Sequence, residues 1–290
     1  MAIGDFHTHS HHSDGVLTPT ELLRRAGANG VRSLALTDHD TTAGVAEAQR
    51  TGEAIGVRVI PGVELSADLP DGGDAHILGY FPSVEQPILQ AQLARYREGR
   101  SSRGRTMLAK LSALGMPLRW ERVLEIAGEA AVGRPHVAQA LVEGGHVGSV
   151  REAFDRYLHT GGPADAAREK VPPEEAIALI RKSGGVAALA HPSFLPDSES
   201  AVAALTAAGL EGLEVYYKNY TPEEVERFRA LADAHGLVPT GGSDYHGIHD
   251  DEREPGNITF AETDVARFLA TLEAAWASRR TDATDAMAGA

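Results

Sequence analysis

The sequence predicts an α/β fold closed into a distorted seven-stranded barrel with a helical insertion. Two observations carry the barrel. Short apolar, strand-like runs alternate with amphipathic helical stretches along most of the 290 residues, which is the rhythm of a mainly parallel sheet. Nearly every strand-like run also delivers a histidine or an acid near its end: His7 and His9, His39, Glu64, His76, His191, Asp244 and His246. An open doubly wound sheet gathers its ligands at one switch point, whereas a closed barrel brings all its strand ends to one mouth.

The first element is the densest. Ala2-Ile3-Gly4 is a short strand leading into a segment, 5–15, that holds four histidines and two aspartates. Residues two apart share a strand face, so His7 and His9 can aim two imidazoles at one ion. His11 and His12 are expected at the rim, outside the ligand set. Thr18-Pro19-Thr20-Glu21 then reads as a helix start, with Thr18 as N-cap, Pro19 at the first helical position and Glu21 closing a capping box. The helix covers about 19–29 and stops at Asn29-Gly30. A second strand, 31–36, runs into Thr37-Asp38-His39-Asp40. Asp38 and Asp40 are expected to orient His39 without touching a metal themselves. A helix near 43–55, a strand at 57–60 leading to Pro61-Gly62-Val63-Glu64, and a strand at 76–81 beginning with His76 complete the first half.

The segment 83–162 is different in kind, with long helical patterns and no strand. A pattern near 86–114 contains Arg95, Arg97, Arg100, Arg103 and Arg105, and Gly99 and Gly104 mark a potential break. The cluster reads either as a solvated helix face or as a basic wall beside an anionic substrate. The β–α rhythm then returns: a helix at 173–183, a strand at 186–190 delivering His191, a helix at 198–208 and a strand at 212–217. A capping box at Thr221–Glu224 opens a helix ending at His235-Gly236, a strand at 237–240 delivers Asp244 and His246, and a final helix spans 264–278. The expected organisation is a barrel from 1–82 and 163–280, an inserted helical domain at 83–162 capping the substrate, and a disordered tail at 281–290.

Composition narrows the function. With 42% hydrophobic and 23% charged residues the chain is an ordinary globular protein. A net charge of −14 excludes broad coating of DNA, yet it permits a small anionic phosphorylated substrate, because bound cations reverse the local field. There is no cysteine, hence no disulfide and no thiolate ligand. No apolar run approaches membrane-spanning length and the start lacks a signal pattern, so a cytoplasmic chain with no membrane partner is expected.

Seven blocks, in order, carry a family resemblance: Asp5-Phe6-His7-Thr8-His9, Ser13-Asp14-Gly15, Thr37-Asp38-His39-Asp40, Pro61-Gly62-Val63-Glu64, His76-Ile77-Leu78-Gly79-Tyr80, Ala190-His191-Pro192 and Gly242-Ser243-Asp244-Tyr245-His246-Gly247. They resemble the PHP (polymerase and histidinol phosphatase) family of metal-dependent phosphoesterases. Gly133-Arg134-Pro135-His136-Val137-Ala138, inside the insertion, resembles the stand-alone branch that includes 3′,5′-nucleoside bisphosphate phosphatases and 5′-to-3′ exoribonucleases. The stretch 164–171 keeps Lys170 and lacks that branch's usual aromatic and proline.

Six histidines and three acids exceed the needs of one ion, and imidazole with carboxylate suits two or three divalent ions of Mn, Fe or Zn. The resemblance implies their grouping. His7, His9, Glu64 and Asp244 would hold one ion, Glu64 would bridge to a second with His76 and His191, and Asp14, His39 and His246 would hold the third. A hydroxide bridging two ions at the Glu64 and Asp244 cluster is then the expected nucleophile. Arg134, which can fork onto a phosphate, His136 and Lys170 are expected to bind substrate phosphate. The implied reaction is hydrolysis of a phosphate ester of a nucleotide, either a 3′,5′-bisphosphate such as pAp or the 5′ end of a short RNA. A histidinol-phosphate-type phosphomonoesterase and a non-catalytic metal-bound scaffold are the alternatives.

Overall fold

Strand polarity brings the ligands together. In the computed structural model, residues 4–69, 74–128, 130–166, 171–248 and 252–288 are described, the side chains of the last helix as far as 279. β1 (Gly4–Asp5), β2 (Ser33–Leu36), β3 (Arg58–Asp68), β4 (Asp74–Tyr80), β5 (Val186–Leu189), β6 (Gly212–Tyr217) and β7 (Val238–Gly242) neighbour one another in chain order within one sheet. Neighbours run parallel except where β4 meets β3 and β5. The ring closes between β1 and β7. The Phe6 N–H donates to the Gly241 carbonyl at 3.0 Å, the Asp244 N–H to the His7 carbonyl at 2.8 Å and the His9 N–H to the Tyr245 carbonyl at 3.0 Å. Because β4 is reversed, its first residues lie at the mouth where the other strands end. His76 therefore lies near the start of its strand, opposite Ser66 of β3.

The outer helices bury one stripe each. α1 (Pro19–Ala28) turns Leu22, Leu23 and Ala26 onto β2, and α2 (Val45–Ile55) adds Ala48 to the same cluster. Both expected capping boxes are present, Thr18 with Glu21 on α1 and Thr221 with Glu224 on α9 (Pro222–Ala234). α7 (Pro173–Lys182), α8 (Ser198–Ala207) and α10 (Glu262–Ala288) complete the layer. α10 runs through most of the segment expected to be a disordered tail. No glycine or proline interrupts 262–288, and extending a helix already anchored by buried Val265, Phe268 and Leu272 needs no new nucleus.

The insertion has its own core, built from α4 (Trp120–Ala127), α5 (Arg134–Glu143), α6 (Val150–Ala153), a π-helical turn at Phe154–Leu158 and the second half of α3 (Pro87–Ala113). α3 does not break at Gly99 or Gly104. It shows no single apolar stripe because its halves serve different cores: Leu89 and Leu93 pack on the barrel, Met107, Leu108 and Leu111 in the insertion. Gly104 lets α3 approach Trp120, since a Cβ there would lie 2.9 Å from that ring. The insertion does not leave and re-enter at one end of the barrel. β4 ends away from the mouth, and α3, about 40 Å long at 1.5 Å per residue, climbs back beside the barrel. The chain returns at the mouth, where the Asp68 N–H donates to the Val171 carbonyl at 2.8 Å.

Candidate metal centre

One carboxylate sits at the middle of the mouth. Glu64 lies within 2.7 to 3.4 Å of five imidazoles, those of His7, His9, His39, His76 and His191. Asp244 Oδ1 is 3.3 Å from His7 Nε2 and 3.2 Å from His9 Nε2. Asp14 joins from the other side, 3.3 Å from His246 Nε2 and 3.8 Å from His39 Nε2. All nine residues singled out in the sequence thus lie in one cluster. Three overlapping groups in it can each hold an ion: His7, His9, Glu64 and Asp244; His9, Asp14, His39 and His246; His39, Glu64 and His76. His9, His39 and Glu64 are each shared between two of them. His11 and His12 stack on each other with ring centroids 4.4 Å apart and belong to none of these groups.

The donor set fits divalent cations. His7 Nε2, His9 Nε2, Asp14 Oδ1, His39 Nδ1, Glu64 Oε1 and His76 Nδ1 are buried without a hydrogen-bond partner, a costly state for polar atoms unless a ligand satisfies them. Two donors each about 2.1 Å from one ion stand roughly 3.0 to 3.4 Å apart at octahedral to tetrahedral angles. That is the spacing seen around Glu64.

Neighbours fix which atom of each donor faces inward. Glu214, fully buried on β6, lies 3.0 Å from His7 Nδ1 and accepts the His191 N–H at 2.6 Å. It thereby aims His7 Nε2 at the centre. Asp244 Oδ2 accepts from Tyr217 Oη at 2.7 Å and from Lys218 Nζ at 3.0 Å, which leaves Oδ1 for the cluster. His246 Nδ1 is 3.0 Å from the Asp244 carbonyl, turning Nε2 to Asp14. Burial disfavours charge on His9, yet the carboxylates of Asp244 and Glu64 outweigh it and raise its pKa to about 10. At His39 burial prevails and holds the ring well below its ordinary value, hence neutral and able to ligate.

Asp38 and Asp40, expected to orient His39, have these partners. Asp38 accepts the Ser10 N–H, the Ser10 hydroxyl and the Ser13 hydroxyl, each at 2.7 Å. These bonds brace the loop carrying His9 and Asp14. Asp40 pairs with Arg100 of α3, which also donates to Ser66 Oγ at 2.8 Å, while Arg97 donates to the Asp40 carbonyl at 3.1 Å. Asp40 thus ties the insertion to the barrel.

The insertion overhangs the cluster. Asp14, His39 and His76 face Arg100, Arg103 and Arg134 across a cavity of about 140 Å³. Arg134 lies 3.9 Å from Asp74 and 3.4 Å from Thr160 Oγ1. His136 is buried, accepts the Gly133 N–H on Nδ1 at 3.0 Å and has a pKa lowered by burial. Lys170 lies outside the described residues.

Sequence reasoning missed Glu214, Tyr217, Lys218 and the individual roles of Arg100 and Arg103. Only Glu214 left a signal, an acid inside the apolar run Gly212–Tyr217.

Comparison with known proteins decides the family. The PHP domain pattern matches residues 5–110. A 3′,5′-nucleoside bisphosphate phosphatase of Chromobacterium violaceum is 36% identical over 267 residues, covering 89% of this chain and 92% of its own. The chain belongs to the PHP family. Among other PHP relatives, the 5′-3′ exoribonuclease Rnm of Salmonella typhimurium is 35% identical over 84% of this chain and 85% of its own. A solved structure from Chromobacterium violaceum, described as an amidohydrolase with bound sulfate and no metal, superposes with a TM-score of 0.83 at 34% identity, covering 94% of this chain and 97% of its own. Family membership makes this protein a metal-dependent phosphoesterase. Among the described residues no helix is long and apolar enough to cross a membrane.

Proposed function

We propose that the protein hydrolyses a phosphate ester of a nucleotide that carries a second phosphate, either a 3′,5′-bisphosphate such as pAp or the 5′ end of a short RNA. The observation that carries this reading is the cavity in which three arginines of the insertion face the ligand cluster. One phosphate would lie on the cluster and the other among Arg100, Arg103 and Arg134. The names of the two relatives, a nucleoside bisphosphate phosphatase and an exoribonuclease, fit substrates of that kind.

His7, His9, Glu64 and Asp244 would hold one ion, Glu64 with His76 and His191 a second, and Asp14, His39 and His246 a third, the ions being Mn, Fe or Zn. Bound there, such ions supply Lewis acidity and lower the pKa of water. The chain's own part is orientation: Glu214 and Lys218 hold the donors in place, and Arg134 forks onto the second phosphate.

The test is a metal-supplemented panel of pAp, histidinol phosphate and short 5′-phosphorylated RNA, run with Arg134→Ala beside the wild type. Loss of one charge-assisted phosphate contact should lower kcat/KM for pAp by about ten- to a hundredfold. Turnover of p-nitrophenyl phosphate should change much less. Equal losses would place Arg134 at the scissile phosphate, and no loss would make it structural. Preference for histidinol phosphate would overturn the nucleotide reading.

A further inference from the structure

The ligand His191 is followed at once by a short 3₁₀ turn, Pro192–Phe194, and Phe194 at its end is 64% exposed, more than any other large apolar side chain among the described residues. A lone exposed phenyl is ordinary on a protein surface. This one stands beside the metal centre. Its ring centroid is 4.8 Å from that of His191, whose Nε2 is 3.4 Å from Glu64, and 5.7 Å from that of Tyr217, the residue that holds Asp244. The ring sits one side chain away from where the phosphate ester would react.

The segment under the ring is fixed. The Ser193 N–H donates to Tyr220 Oη at 3.0 Å, and Tyr220 in turn stacks on the buried Phe228 with centroids 5.1 Å apart. Leu195, the next residue, is buried in the barrel core. The turn is therefore pinned on both sides of a ring that keeps most of its surface in water. A rigid aromatic surface at the edge of a phosphate site suits a planar ring joined to that phosphate by a sugar.

We infer that Phe194 is a stacking platform for the nucleobase of the substrate, a specificity-determining contact that the metals and arginines do not supply. The inference rests on the nucleotide reading above. It adds that recognition of the base is by stacking, which every base can satisfy, so the platform selects nucleotides over other phosphate esters without selecting among bases.

The test uses metal-loaded full-length protein and the variants Phe194→Ala and Phe194→Trp. Because the side chain is exposed, both should melt as the wild type does. Equilibrium binding of AMP and of ribose 5-phosphate, which lacks the base, is compared. Phe194→Ala should weaken AMP about five- to a hundredfold and leave ribose 5-phosphate within about twofold, and Phe194→Trp should keep or tighten AMP. Adenosine, which carries no phosphate, should quench the added indole fluorescence of F194W over the wild-type signal. Equal weakening of both ligands, or of neither, would overturn the platform. Quenching by adenosine in a protein that hydrolyses no nucleotide would keep the platform and reject the phosphatase reading. Hydrolysis of pAp unaffected by Phe194→Ala, with no quenching, would do the reverse.

Discussion

Asp40, His191 and Asp244 are the non-glycine residues with left-handed backbone among those described, at φ 53°, 27° and 48°. Such conformations cost of order 1–3 kcal/mol each and persist where the surroundings over-determine them. Two of the three are in the histidine and carboxylate cluster around Glu64 and the third ties the insertion to the mouth. The strain turns the chain sharply just past the end of a strand, so that a side chain leaving β5 or β7 points into the ring. Asparagine visits the left-handed region as readily as aspartate, so Asp244→Asn should preserve the backbone while removing an anionic donor. His191→Ala removes an imidazole at the mouth and no packed core atom. Each variant should retain less than about a tenth of wild-type turnover with an unchanged circular dichroism spectrum. Greater residual activity in either would refute its role as a ligand.

At the scale of elements, α3 is the member whose failure is most informative. Its two halves belong to different cores, and Gly104 sits where Trp120 and Val132 close on it, 2.9 and 3.0 Å from where an alanine methyl would lie. Replacing Gly104 by alanine gains about 1 kcal/mol of helix propensity. Overpacking costs typically about 1–3 kcal/mol, and a rigid indole ring gives way less easily than a flexible chain end. Gly104→Ala should therefore destabilise by about 1 kcal/mol, read as a lower urea midpoint. A rise in the midpoint would show that the ring moves freely. This contact also explains which elements were legible in sequence. The capping boxes of α1 and α9 and the histidines at strand ends are local patterns, complete within a few residues. Gly104 looks like a helix breaker because its reason, Trp120, is sixteen positions away on another helix. The reversal of β4 was hidden in the same way: a strand carries no mark of its direction, and His76 at its start reads like any strand-end histidine. Glu214 was visible as an acid inside an apolar run, but its purpose shows only when its partners His7 and His191 are seen beside it.

At the scale of the whole molecule, the clustered histidines and acids span the chain from His7 to His246, and the ring that gathers them closes at β1 and β7. His7 and His9 lie on one side of that closure and Asp244 and His246 on the other. Ions held between them would cross-link the two ends of the barrel. Metal-loaded protein should carry at least about two equivalents of metal, and chelation should speed hydrogen exchange first at the amides of Phe6, His9 and Asp244, which bridge the closure. Uniform acceleration across the sheet, or one equivalent or fewer after reloading with Mn or Fe, would refute the multinuclear cross-link.

That closure also sets a schedule for the living cell. The ribosome makes His7 before His246, and a nascent chain that stops short of β7 lacks one side of the ring. A nascent chain can fold helices and even assemble the insertion, but it cannot complete the donor set until β7 has been synthesised and has docked beside β1. An enzyme of this design stays inert until that docking, and its competence arrives in one step.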